Sequence, residues 1–418
     1  MEKFYINGGN KLYGRIKVDS AKNAILPIMA GSIMCKGKVV LKDITYYEDV
    51  KNMIKILKHL GVGVEEYENV LILDPTTINN FFIPEELTSK LRASIFFLGP
   101  LLSALKRARV AYPGGCAIGA RPIDIHLNGL SKMGAKIIDR HGIIYIKADN
   151  LKASSLCLPF PSVGATENLI MASIFVEGHT AILGVAKEPE VVDLCNFLNK
   201  MGAKIYGAGT DEVHIYGVES LSGGEYTPMP DRIIAGTYLL APLICGGEVE
   251  IQNINPEHIR PILDLLNNNT CKIYESSDKM VIEASGRLNG FGKIETMPYP
   301  FFPTDLQQPF CALSSVCNGN TVIVENLFEN RTKHVPELSK MGAKIIVKDR
   351  AILIEGTEEL FGASVVASDL RGGASLVLAG LKATGYTTIS NIHFIDRGYY
   401  MLDKKLASIG AEITRIST

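Results

Sequence analysis

The chain has 418 residues, 47% of them hydrophobic and 21% charged, with 43 Lys plus Arg against 44 Asp plus Glu. That length and apolar content supply a large core over two or three domains, and the balanced charge excludes a disordered chain or any whole-molecule bias toward nucleic acid or an anionic membrane. Tryptophan is absent and aromatics are 7%, which argues against a stacking platform for single-stranded nucleic acid or carbohydrate.

Eight cysteines (35, 116, 157, 195, 245, 271, 311 and 317) are scattered without a C-x-x-C pair. Neither a disulfide framework nor a zinc site fits that spacing, and a reducing compartment with buried free thiols does. No metal and no cofactor are expected. MEKFYINGG lacks an apolar signal core, and ASIFFLGPLLSAL (93–105) is too short for a bilayer and is interrupted at Gly99-Pro100. A soluble cytoplasmic protein is expected.

Taken in chain order, the elements repeat. KFYINGGNKL (3–12) has the form of the strand segments IIYIKADNL (143–151) and VHIYGVESL (213–221). Helix starts recur at AKNAILP (21–27), KLRASIFF (90–97), SVGATENL (162–169), PDRIIAGT (230–237), PTDLQQPF (303–310) and SDLRGGAS (368–375). A second amphipathic helix, such as VVDLCNFLNKM (191–201), ends at a marker related to MGAKI. Its glycine falls at Gly61, Gly134, Gly202, Gly342 and Gly410, with Thr270 in its place in the fourth copy, so the separations are 73, 68, 68, 72 and 68. An alternating hairpin follows, as in AKIIVKDRAILIEG (343–356) with its turn at Lys348-Asp349-Arg350.

Six β-α-β-α-β-β units follow from that pattern, three to a domain, in an α/β fold. Residues 1–20 and 230–418 are expected to form domain I, and 21–229 domain II. The chain would cross near Val18–Ala21 and at YTPMPD (226–231). The last unit lacks its second hairpin strand, so the amino-terminal strand is expected to complete it and bring the termini together. A cleft between two like domains is a preferred place for a ligand.

Lys22, Arg92, Arg232 and Arg371 stand at helix starts, where unpaired N–H groups and the dipole favour anions and a cation has no structural reason to sit. An anion-binding role is expected for Lys22 and Arg371; for Arg92 and Arg232, exposed or interdomain salt bridging is the equal alternative. Asp231, Asp305 and Asp369 occupy matching places, where capping of the first turn is the plain reading. Arg121, Arg331 and Arg397 recur in loops before the second helices, as recognition forks for phosphate or carboxylate or as solvated surface residues. Cys116 lies in the glycine-rich loop YPGGCAIGARPID (112–124), where Arg121 would favour its thiolate.

These segments together resemble the UDP-N-acetylglucosamine 1-carboxyvinyltransferase (enolpyruvyl transferase) family of the EPSP synthase-like superfamily. The resemblance runs end to end and rests on AKNAILP, LRASI, PGGCAIGARPID, SVGAT, KEPEVVD, PDRI, FPTDLQ, FENR, DLR and IDRGY. It implies a two-domain inside-out α/β barrel and transfer of the enolpyruvyl group of phosphoenolpyruvate to the 3-hydroxyl of UDP-N-acetylglucosamine, the first committed step of peptidoglycan synthesis. By the matching motifs, Lys22, Arg121 and Arg397 would hold the phosphate of phosphoenolpyruvate, and Arg331 and Arg371 its carboxylate. Asn23, Arg92, Arg121, Pro122, Ile123, Asp124, Ile125, Ser162, Val163, Gly164, Asp305 and Leu327 would line the nucleotide-sugar site. Cys116 would be the proton donor, able to carry an adduct and to react with fosfomycin, and Asp305 would accept the hydroxyl proton.

Several positions depart from the family pattern: Asp19 and Ser20 before Ala21-Lys22-Asn23, Ile234, Phe301, Thr332 and Phe394, with Gly372-Gly373 expected to loosen their helix start. A divergent second copy, or a catalytically silent nucleotide-sugar binder, is the rival from another class. The sister enolpyruvyl transferase of the shikimate pathway lacks the cysteine loop.

Overall fold

The computed structural model describes residues 2–114, 122–267 and 269–417. They divide into two compact units, one of residues 2–19 with 230–417 and one of residues 20–114 with 122–229. Each unit contains three four-stranded sheets of a single design. In one of them, Gly292–Glu295 runs parallel to Asn320–Val324, which pairs antiparallel with Ala351–Glu355, which pairs antiparallel with Lys344–Lys348. Chain order there is strand, helix, strand, helix, hairpin, as the sequence repeat predicts. A parallel pair needs a crossover, and the helix supplies it.

Three sheets are completed from a distance, one of them by Leu12–Lys17, which lies parallel to Gly247–Gln252. Strand Glu2–Asn7 inserts between Tyr386–Ser390 and Glu412–Ser417, antiparallel to both, with Phe4 opposite Ile389 on one side and Arg415 on the other. The amino-terminal strand therefore does complete the last repeat. In the other unit, Gly224–Tyr226 lies parallel to Val39–Lys42 and supplies the edge strand of the first repeat. Sequence pattern did not reveal that strand, because three residues carry too little alternation to register.

The marker glycine has a conformational cause. Gly61, Gly134, Gly202, Gly342 and Gly410 all have φ between 91° and 110°, the left-handed region that ends helices. Around each, the two N–H groups after the helix bond back to its last carbonyls, as in Gly342 N to Ser339 O and Ala343 N to Leu338 O, both near 3 Å. The repeated pentapeptide is thus a helix stop followed at once by a strand.

In the first unit, helices Arg232–Cys245, Thr304–Ser314 and Leu370–Lys382 pack against one another at the centre. Arg232–Cys245 is buried along nearly its whole length, as a helix apolar on all sides must be. In the second unit, Leu98–Leu105 packs on Val163–Ser173, and Lys22–Gly31 packs on the turn Arg92–Phe97 that leads into Leu98. The sheets lie outside the helices and leave residues such as Tyr13, Tyr274 and Ile346 exposed. No helix among the described residues is long and apolar enough to cross a membrane.

Candidate functional site

The first unit gathers charge at the starts of its three central helices. Asp305 is the second residue of its helix, which begins at Thr304 with Pro303 as a cap lacking any side-chain bond. Its carboxylate is held by Arg331, Nη2 to Oδ1 at 2.6 Å, and by Arg371, Nη2 to Oδ2 at 3.3 Å. Both guanidiniums are almost fully buried, with side-chain exposures of 4% and 3%. Arg331 Nε and Arg371 Nε and Nη1 are also buried and find no acceptor. Buried donors are rarely left so, and three on a pair of neighbouring guanidiniums suit a further anion.

Other side chains lock that geometry. Arg331 Nη1 donates to Thr304 Oγ1 at 2.6 Å, and Thr304 donates to Glu325 Oε2 at 2.7 Å. Glu325 Oε1 accepts from Thr296 Oγ1 and from the N–H groups of Leu327 and Phe328, fixing the turn that carries Leu327. Tyr399 lies against the Arg371 guanidinium, 5.2 Å from ring centroid to Cζ, and shares a 2.8 Å bond with Thr237. The half-buried Arg397 directly follows the short helix His393–Asp396.

The capping expectation divides by residue. Asp231 and Asp369 are true caps: Asp231 accepts from Ile233 N and Ile234 N, and Asp369 from Arg371 N and Gly372 N. Asp305 stands two places further along and is not a cap, which leaves its carboxylate to the arginines. Arg232 is buried and lies over the Tyr299 ring, so it is not an exposed salt bridge. Gly372 and Gly373 lie buried in the first turn of their helix. A β-carbon on Gly373 would come within 2.5 Å of Ile395 Cγ1, so the glycine is there to let the Arg397 segment approach.

The second unit is built differently. Lys22 opens its helix and pairs with Asp49, Nζ to Oδ2 at 3.1 Å, the two side chains 10% and 4% exposed. Asn23 beside it is exposed, and Arg92 opens the turn Arg92–Phe97. Ser162 caps its helix by accepting from Ala165 N, and Val163 and Gly164 form the first turn. His126 packs against Gly164, where an added β-carbon would sit 3.2 Å from the imidazole. Burial, reinforced by Arg92 and opposed by Asp124, pushes His126 down to about 4, so it is neutral. Asn168 Nδ2 bonds His126 Nδ1 at 3.0 Å and Ile95 O, while its Oδ1 accepts from Gly99 N. One residue earlier on that helix, Glu167 is fully buried with neither oxygen partnered. Burial first, then Glu190 and Glu188, holds its carboxyl well above the usual range.

Pro122, Ile123, Asp124 and Ile125 lead into the helix Asp124–Lys132, with Ile123 buried and Pro122 and Asp124 exposed. Cys116 and Arg121 lie outside the described residues. Among the departures, Ile234 is fully buried, Phe301 is exposed, and Ser20 exchanges hydrogen bonds with Thr45. Asp19 takes a 2.6 Å bond from Lys405. Sequence reasoning missed Asp49, His126, Asn168, Glu325 and Tyr399. Each meets its partner in a distant segment and not through a local motif. Among the described residues, no group of three or more His, Cys, Asp or Glu could hold a metal ion.

Comparison with known proteins separates two sister families. A family model described as EPSP synthase (3-phosphoshikimate 1-carboxyvinyltransferase) matches residues 6–406. The UDP-N-acetylglucosamine 1-carboxyvinyltransferase 2 of Carboxydothermus hydrogenoformans is 46% identical over 419 residues, covering 100% of both chains. UDP-N-acetylglucosamine 1-carboxyvinyltransferase 1 of Caldanaerobacter subterraneus is 45% identical and covers 99% of both, and the Idiomarina loihiensis enzyme is 44% identical over 100% of both. Among solved structures, the enolpyruvyl transferase NikO of Streptomyces tendae superposes with a TM-score of 0.89 at 22% identity, over 100% of this chain and 99% of that one. The EPSP synthase of Acinetobacter baumannii gives 0.76 at 18%, over 100% of each. At such identities the solved structures establish the shared mixed α/β fold, and the curated relatives decide the family. The chain belongs to the UDP-N-acetylglucosamine 1-carboxyvinyltransferase family.

Proposed function

We propose that this protein transfers the enolpyruvyl group of phosphoenolpyruvate to the 3-hydroxyl of UDP-N-acetylglucosamine, with release of phosphate. Its full-length relatives carry that activity in their names. The observation that carries the reading is the Asp305 carboxylate between two buried guanidiniums, with Arg331 Nε and Arg371 Nε and Nη1 left without acceptors. Phosphoenolpyruvate brings the carboxylate that such a socket takes.

An enol phosphate becomes electrophilic at C2 only when C3 is protonated. An acid must therefore reach C3 as the sugar oxygen forms its bond to C2 and loses its proton. Loss of that C3 proton then expels phosphate and restores the double bond. Asp305 accepts the hydroxyl proton, because the substrate carboxylate competes for Arg331 and Arg371 and frees it. Cys116 supplies the C3 proton, and Lys22, Arg121 and Arg397 take the phosphate. These preformed cations stabilise the tetrahedral intermediate, which keeps both anionic groups. Asn23, Arg92, Pro122–Ile125, Ser162–Gly164 and Leu327 serve the nucleotide sugar, with the neutral His126 holding Gly164 in place. The activity belongs to cytoplasmic peptidoglycan synthesis, hence to cell-wall growth, shape and division.

Phosphate release from phosphoenolpyruvate, measured with and without UDP-N-acetylglucosamine, tests the reading. Release only when both are present is expected; a silent binder releases none. Fosfomycin should add its mass to the protein at Cys116, and Cys116→Ser should lose both labelling and turnover. Labelling at another cysteine would remove Cys116 from the mechanism.

A further inference from the structure

We propose that Arg415 is a positioning residue that sets the placement of Arg397, and through it the affinity for the phosphate of phosphoenolpyruvate; this rests on the reading of Arg397 given above. Helix His393–Asp396 is four residues long, too short to hold its own shape. Its end is instead gripped from the final strand. Arg415 forms a two-pronged pair with Asp396, Nη2 to Oδ1 at 2.6 Å and Nη1 to Oδ2 at 3.0 Å. Two parallel bonds fix the orientation of the carboxylate as well as its distance. The neighbour in sequence of that fixed carboxylate is Arg397.

The fork is itself held on several sides. Glu2 Oε2 accepts from Arg415 Nη1 at 2.9 Å, Asp403 lies 3.7 Å from Nη2, and the guanidinium sits 5.0 Å from the Phe4 ring centroid. Phe4 is the cross-strand partner of Arg415, so the pairing register of the terminal strands delivers the fork to Asp396. Two residues beyond Arg397, Tyr399 is anchored to Thr237, while Ile395 covers Gly373. Arg397 thus lies on a segment fastened before and after it, with Arg415 as the fastening on the near side. A salt bridge with a quarter of its surface exposed contributes little stability. Its two-pronged geometry is better accounted for by orientation than by stability.

The test is steady-state kinetics with both substrates for the wild type, Arg415→Met, Arg397→Ala and the double variant, each with a thermal melt. Arg415→Met should raise KM for phosphoenolpyruvate about tenfold. KM for UDP-N-acetylglucosamine should not change, and the melt should move only slightly. Arg415→Lys, which keeps the charge but not the fork, should fall between, and it carries the same comparison if the methionine variant does not fold. In the Arg397→Ala background, the Arg415 change should have no further effect. If Arg397→Ala leaves KM for phosphoenolpyruvate untouched, the reading of Arg397 fails. If Arg397→Ala raises it but the Arg415 change multiplies that rise independently, or does nothing alone, Arg415 does not act through Arg397.

Discussion

At the helix start of Thr304 in the first unit, a partly exposed carboxylate is paired with two buried guanidiniums. At the helix start of Ser162 in the second, His126 and Glu167 are buried and held neutral. The same supersecondary unit builds both places. The difference lies in what surrounds the first turn: arginines delivered from neighbouring segments in one case, apolar side chains and like charges in the other. Desolvation penalises an ionised group unless partners replace the lost water, so each location settles its protonation by its partners. The first is suited to an anion; the second is suited to an uncharged surface or to packing alone.

The largest expected effect separates the non-capping aspartate from its capping counterparts. Asp305→Ala should lower turnover by roughly 10²-fold or more while phosphoenolpyruvate still binds. Phosphate-release rates alongside substrate titrations check this; normal turnover would remove Asp305 from the chemistry. Gly373→Ala tests how closely Ile395 is required to sit. Forcing a methyl group into that contact should cost about 1–3 kcal/mol by denaturant melts, and raise KM for phosphoenolpyruvate as the Arg397 segment shifts. An unchanged melt would mean that the segment repacks without strain. Asp231→Ala should behave as the loss of a cap, about 1 kcal/mol in the same melts.

The smallest effects concern the neutral pair, and they have opposite signs. Glu167 is raised above its ordinary 4.5, so its contribution is complete below that pH and is lost as pH rises toward its folded value. Glu167→Gln should therefore melt higher than wild type at pH 8, and the advantage should vanish near pH 4.5. His126 is depressed from 6.5 to about 4, so its contribution is complete above 6.5 and is lost as pH falls through that interval. Melts of wild type and His126→Asn across pH 4–7 should converge on the acid side. Parallel profiles would mean that folding does not shift His126 from its ordinary value.

Regular spacing made the fold readable. The helix-stopping glycines repeat at near-constant intervals because each copy needs the same left-handed turn, and the missing hairpin strand at the end pointed to Glu2–Asn7. The site was readable where chemistry breaks a local rule, as with Arg371 in a first helical turn. It was not readable where partners come from distant segments, because no periodicity relates Asp49 to Lys22, Glu325 to Thr304 or Arg415 to Asp396. The capping expectation failed at Asp305 because a shift of two residues along a helix start exchanges backbone partners for side-chain partners, and three aligned aspartates look alike until the helix begins.

The insertion of Glu2–Asn7 between Tyr386–Ser390 and Glu412–Ser417 orders events during synthesis. Glu2–Asn7 pairs only with strands that lie beyond residue 385 in the chain. Residues 20–229, by contrast, contain every strand of the sheets in their own unit and can close them while translation continues. The amino-terminal strand must wait, unpaired, until residues 386–417 have emerged. A nascent chain stalled before residue 386 should therefore present a protease-resistant 20–229 fragment and a cleavable amino terminus, a difference that limited proteolysis of arrested ribosome complexes would display.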